Sequence, residues 1–186
     1  MNKNDHEPDT ANFPETLSSS PIYKGKIFDV RLDDIHENGV EYQREIVVHH
    51  GSAVIVPVFA DDTVALVRQY RHAAGKYLLE IPAGSLNVDE DPETGAIREL
   101  EEEIGVRADK IVKISEFYVS PGFLTEKMFV FLATELTEVG QKLEDDELLT
   151  VERYTFSKAL ELIQNGQIED AKTIVGLMIA ASRFQL

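Results

Sequence analysis

The chain has 186 residues, with 34 Asp and Glu against 18 Lys and Arg, a formal net charge of -16 and no cysteine. These figures exclude disulfide scaffolds, zinc-thiolate sites, iron–sulfur clusters and cysteine nucleophiles, and a polyanionic nucleic acid would be repelled. The 43% hydrophobic content suffices for one packed core, and the polar start offers no apolar signal segment, so a cytoplasmic protein is expected.

Residues 1–20 are rich in Asn, Asp, Pro, Ser and Thr without a hydrophobic period, and read as a flexible tail. An N-terminal β hairpin is expected over 21–50, its strands at 22–32 and 42–49 joined through Asn38-Gly39. Residues 51–186 then form the main domain. The run 52–59 is apolar almost throughout, as in a strand covered on both faces, and Asp61-Asp62 turns it into a strand over 63–70. Further strands are expected at 76–82, 110–120, 127–134 and 151–156. An acidic loop spans 135–147. Ser157 is read as the cap of a helix through Gln164, and the last helix as covering 169–183. Its apolar stretch, 173–181, is about half of the ~20 residues a membrane span requires. The expected class is α+β, with mixed β-sheets sandwiched between helices.

The chemistry concentrates between Gly84 and Val106. Asp91 followed by Pro92 is an N-cap with proline in the first helical position, and Gly105 is placed to end the helix in the left-handed conformation. A helix over 92–104 puts Ala96, Ile97, Leu100 and Ile104 within one apolar stripe, with Glu99 and Glu103 one turn apart at its edge. Two carboxylates in that relation repel one another, and a divalent cation removes the conflict. Oxygen ligands of this kind suit Mg²⁺ or Mn²⁺. A run of glutamates on a helix is by itself an ordinary solvated face. The spacing is more specific: Gly84, five residues, Glu90, seven residues, Arg98-Glu99-Leu100, one residue, Glu102-Glu103, one residue, Gly105-Val106.

This pattern resembles the Nudix box, and every position agrees. The resemblance implies a Nudix fold and hydrolysis of a nucleoside diphosphate linked to another moiety, with Mg²⁺ or Mn²⁺ held against the diphosphate. It implies Glu99, Glu102 and Glu103 as catalytic metal ligands, the Ala83 carbonyl as a further ligand, and an Arg98–Glu90 ion pair supporting the box beside Gly84 and Gly105. Pro121 stands 15 residues after Val106, within Ser120-Pro121-Gly122-Phe123. With Arg44-Glu45-Ile46-Val47, Gln69-Tyr70-Arg71 and Glu80-Ile81-Pro82-Ala83-Gly84, it resembles the ADP-ribose pyrophosphatase branch. The expected reaction is therefore conversion of ADP-ribose to AMP and ribose 5-phosphate. Another nucleotide sugar such as GDP-mannose, or a sensor that binds ADP-ribose without cleaving it, are the alternatives.

By the same resemblance Phe28, Arg44, Arg71, Pro121 and Gly122 contact substrate, and a carboxylate in the acidic loop serves as base. Glu144 and Glu147 are the candidates, with Glu116 and Glu126 behind them. His49, His50 and His72 have no metal-ligand spacing and read as surface or turn residues. An isolated hairpin cannot cover Ile27, Val30, Ile46 and Val47, so a homodimer is expected, in which residues such as Phe28 and Arg44 complete the partner's site.

Overall fold

The computed structural model describes residues 13–143 and 147–184, which form two compact units. Residues 1–12 of the expected tail lie outside the described residues.

The first unit takes in the chain up to His49 together with Ser120–Thr125. Its sheet has three antiparallel strands, β1 (Glu15–Lys24), β2 (Asp29–Glu37) and β3 (Val40–Val48), in sequence order. Asn38 (φ 51°) and Gly39 (φ 81°) make the tight turn between β2 and β3. The expected two-stranded hairpin is thus a three-stranded sheet, and residues 15–20, read as tail, belong to β1. Every residue of β1 is exposed, so no buried face writes a period into its sequence. Polar pairing holds it instead: the Ser19 hydroxyl donates to Asp33 Oδ1 at 2.6 Å, and that of Ser18 to Asp34 Oδ2 at 2.5 Å. The segment 120–125 is tied to β3, with Val47 N–H donating to the Phe123 carbonyl and Thr125 N–H to that of Val47.

The second unit comprises His50–Val119 and the chain from Glu126 onward. It contains β4 (Ser52–Pro57), β5 (Thr63–Arg71), β6 (Lys76–Glu80), β7 (Ala83–Ser85), α1 (Pro92–Ile104), β8 (Val106–Tyr118), β9 (Lys127–Glu138), β10 (Leu149–Thr155), α2 (Phe156–Gln164) and α3 (Ala171–Phe184). A four-stranded mixed sheet has the order β7-β4-β9-β8, with β4 and β9 parallel, and a three-stranded antiparallel sheet has the order β10-β5-β6. All six residues of β4 are buried. Alternation assigns them to two cores. Val54 and Val56 pack with Leu66, Leu79, Val130 and, from α3, Leu177 and Ala180. Ala53 and Ile55 pack with Phe131 and, from α1, Ala96 and Leu100. This is the α+β arrangement of sheets between helices that the sequence leads one to expect.

Several boundaries differ from expectation. The strand expected over 76–82 stops at Glu80, and a separate strand, β7, follows at Ala83, because Ile81 and Pro82 break the ladder: Ile81 N–H donates to the Thr173 hydroxyl and the Pro82 carbonyl accepts from Ile55 N–H. Strand β9 runs on to Glu138, so the acidic loop starts later than the composition suggests. The α2 cap is Thr155, whose hydroxyl accepts from Lys158 N–H, rather than Ser157.

Candidate metal and diphosphate site

Helix α1 is fixed at both ends by its own sequence. Asp91 Oδ2 accepts from the N–H groups of Glu93 (3.0 Å) and Thr94 (3.3 Å), and Gly105 ends the helix at φ 69°, ψ 31°. Its apolar stripe lies on β4, except that Ile97, expected on that stripe, is exposed, and the packing carries Glu99 and Glu103 inward until they are 5% and 3% exposed. Burial of this stripe, Leu100 at 0% exposure included, therefore forces two carboxylates into a poorly solvated place.

The preceding loop is shaped around these carboxylates. A Cβ at Gly84 would stand 1.9 Å from Glu99 Oε1, so only glycine admits the Glu99 side chain there. Ala83 N–H donates to Glu103 Oε2 at 3.0 Å. Arg98 binds loop to helix: its Nε and Nη2 donate to the two oxygens of Glu90, each at 3.1 Å, while its Nη1 donates to Glu99 (2.6 Å) and Glu102 (3.0 Å). Glu90 also accepts from Asn87 N–H at 2.8 Å, and the Arg98 hydrogen bond holds its carboxyl below the usual range. Glu102 is only partly buried.

The chain then returns to this place from far along the sequence. Val139 and Gly140 N–H donate to the Gly105 carbonyl, Lys142 N–H to that of Glu102, and the Gln141 amide to that of Glu103 at 2.6 Å. The segment thereby satisfies carbonyls that the end of α1 leaves open. Beyond it, Glu147 joins the cluster: one carboxylate oxygen from each of Glu99, Glu103 and Glu147 lies within 4.8 Å of the others. Burial first, then the Glu99 charge, pushes the Glu103 carboxyl up to about 8. Burial also raises Glu99, against the opposing pull of Arg98. Glu144, the other base candidate, lies outside the described residues.

Arg71 and Lys172, at the ends of β5 and α3, line a cleft of about 190 Å³ with Ser52, Ala83, Gly84 and Glu126. Arg71 is not a lone cation. Its Nε and Nη2 each donate to Glu80 at 2.8 Å, and Lys172 donates to the same carboxylate and to Asp170 Oδ1. Glu126 accepts from the Ser52 hydroxyl at 2.7 Å, and Glu116 is exposed between Lys127 and Lys113, which pull its carboxyl down to about 2.

Phe28, Arg44, Pro121 and Gly122 belong to the first unit. There Phe28 meets the Tyr23 ring at 5.9 Å between centroids, and the Arg44 guanidinium lies 4.3 Å from the Tyr42 ring centre. The sequence reading passes over Glu80, Lys172 and Gln141. Glu80 lies inside a quoted motif, and its charge in an apolar strand context was the one signal that could have drawn notice.

A carboxylate cluster on a capped helix, beside a glycine loop and a cleft that bears Arg71 and Lys172, is the arrangement of a class that handles phosphates with a divalent cation. A profile of the NUDIX domain matches residues 49–175, and the chain belongs to the Nudix family. It is 40% identical over 162 residues to an ADP-ribose pyrophosphatase of Bacillus subtilis, covering 86% of this chain and 88% of that one. It is 34% identical over 176 residues to a GDP-mannose pyrophosphatase of Salmonella typhimurium, covering 86% and 91%. The crystal structure of an ADP compounds hydrolase shares the fold with a TM-score of 0.81 at 22% identity, over 92% of this chain and 94% of that one.

Proposed function

We propose that this chain hydrolyses the diphosphate bond of ADP-ribose to AMP and ribose 5-phosphate, using Mg²⁺ or Mn²⁺. The observation that carries the reading is the meeting of Glu99, Glu103 and Glu147, two of them buried, in a chain akin to an ADP-ribose pyrophosphatase over most of its length. The residues fit such an ion. The donors are hard oxygens only, and among the described residues Glu103 forms no ion pair, the more distant Arg71 charge offsetting its burial only in part.

Glu99 and Glu103 would hold the metal, with Glu102 and the Ala83 carbonyl as neighbouring donors and Glu147 beside them. When bound, it would neutralise diphosphate charge and lower the pKa of a coordinated water. Arg98 and Glu90 keep the loop on the helix. A carboxylate of the acidic loop, Glu147 or Glu144, orients the attacking water and accepts its proton as the P–O bond to the leaving phosphate breaks. Arg71, Pro121 and Gly122 are proposed as substrate contacts. Phe28 and Arg44 take that role if the sheet of the first unit lies at a homodimer interface, which its exposed Ile22, Ile27, Phe28 and Val40 support. The sheet β1 to β3 is then the dimerisation element and residues 51–186 carry the catalytic domain, and the cysteine-free composition agrees with a cytoplasmic location.

Turnover of ADP-ribose and GDP-mannose with Mg²⁺, followed by phosphate release through a coupled phosphatase, tests the proposal. Preference for ADP-ribose supports it, and preference for GDP-mannose replaces the sugar while keeping the chemistry. Binding of ADP-ribose without turnover overturns it in favour of a sensor.

A further inference from the structure

The most thoroughly bonded buried charge in the second unit lies outside the glutamate cluster. Glu80, at the end of β6, is 1% exposed, yet its carboxylate faces two cations. Arg71 presents one edge of its guanidinium to it in the two-pronged geometry that fixes both position and plane. Lys172 takes one of the same oxygens and is itself anchored to Asp170. Asp170 accepts in turn from the N–H and hydroxyl of Thr173, at 2.9 and 2.5 Å, and that hydroxyl receives Ile81 N–H at 2.9 Å. The start of α3 thus grips the chain beside Glu80 through side-chain bonds, two residues before Ala83 meets Glu103.

Such an arrangement serves packing poorly. A buried ion pair seldom stabilises a fold more than apolar residues of the same volume would. What it does supply is direction. The Arg71 side chain is 39% exposed and borders the cleft next to Ala83 and Gly84, and two of its three nitrogens donate to Glu80 along one edge. An unrestrained arginine at a cleft mouth samples many rotamers and must give them up on binding, whereas one held by its back edge presents the other in a fixed plane. Glu80 and Asp170 together balance Arg71 and Lys172, so what Arg71 offers the cleft is not surplus charge but the free edge of a guanidinium held in a fixed plane.

We propose that Glu80 is a positioning residue, itself fixed by Lys172, that aims the Arg71 guanidinium into the cleft to receive a diphosphate oxygen. This rests on the diphosphate reading of the cleft and does not depend on which sugar is attached. Glu80 touches no substrate and acts through Arg71.

The test is calorimetric titration of methylenediphosphonate, a diphosphate that cannot be hydrolysed, into the full-length protein with excess Mg²⁺. Glu80→Gln weakens binding about tenfold, because the guanidinium loses its charged anchor, and Glu80→Asp, which keeps the charge but shortens the reach, weakens it about threefold. In an Arg71→Ala background neither change weakens binding further. Kinetically, Glu80→Gln raises KM for ADP-ribose by a similar factor with kcat within about twofold, a split that loss of folded protein does not produce. Thermal melts monitor folding, and Glu80→Asp, which retains a buried carboxylate for Arg71 and Lys172, carries the test if Glu80→Gln does not fold. Equal weakening with and without Arg71 overturns the proposal, as does a wild-type protein that binds no methylenediphosphonate. Normal binding with no turnover of ADP-ribose refutes the proposed substrate and leaves this inference standing.

Discussion

Two sets of buried carboxylates in the second unit are treated in opposite ways. Glu80 sits between Arg71 and Lys172, and although burial pushes its carboxyl upward, the two cations leave it below the ordinary value. Glu103, equally buried, faces Glu99 and Glu147, and its carboxyl is driven up to about 8. The first group is complete with protein atoms alone. In the second, Arg98 is bonded to Glu99 but Glu103 forms no ion pair among the described residues, and positive charge falls short there. The comparison teaches how to separate a structural charge from a functional one: the question is whether the chain supplies the counter-charge, since burial alone is the same in both.

The sharpest way to break the comparison is to remove the uncompensated charge. Glu103→Gln conserves volume and leaves the fold intact, and kcat for ADP-ribose falls by about 10³ or more, measured with saturating Mg²⁺. A folded variant with near-native kcat refutes the metal-ligand assignment. The compensated charge behaves conversely. Glu80→Ala strands Lys172 and Arg71 and lowers unfolding free energy by about 3 kcal/mol, the low end for a broken buried pair because Arg71 keeps water on one side; urea denaturation reads this.

Addition of Mg²⁺ sharpens the contrast further. Millimolar Mg²⁺ raises the melting temperature of the wild-type protein by a few degrees, as expected for a ligand of the native state, and the gain is lost in Glu103→Gln but kept in Glu101→Gln. Acid titration gives a smaller signal with a definite sign. The folded-state pKa of Glu80 is depressed, so its stabilisation is complete above its ordinary unfolded value and is lost as pH falls through the lower folded one. The stability gap between the wild type and Glu80→Gln therefore narrows below about pH 4.5. The smallest effect belongs to Glu101, a partly exposed partner of Arg107 at 2.7 Å on the far side of the helix. Glu101→Gln changes stability by less than about 0.5 kcal/mol and leaves kcat within about twofold.

Local chemistry made much of the molecule legible in advance. Asp91, Pro92 and Gly105 mark the ends of α1 because capping and left-handed backbone demand particular residue types at those places. The apolar run of β4 reads directly as a strand buried on both faces. Strand β1 was hidden for the complementary reason: all of it is exposed, and its serines pair with aspartates some 14 to 16 residues away. Thr155 rather than Ser157 caps α2, a choice between two hydroxyl residues that backbone geometry alone resolves.

The candidate site divides along the same line. Its glutamates on α1, its glycine at 84 and its Arg98–Glu90 pair lie within one short motif whose spacing is set by a single helical turn and a single loop. By itself, then, the sequence determined the helix, its caps and the side of it that bears carboxylates. Tertiary structure decided how distant groups meet: Glu147, one of the two loop candidates, comes beside Glu99 and Glu103, Gln141 holds the end of α1, and Lys172 reaches Glu80 across 92 residues of chain. Meetings of that kind are set by sheet order and helix packing, and a charge that finds its partner through the fold leaves no periodicity in the sequence.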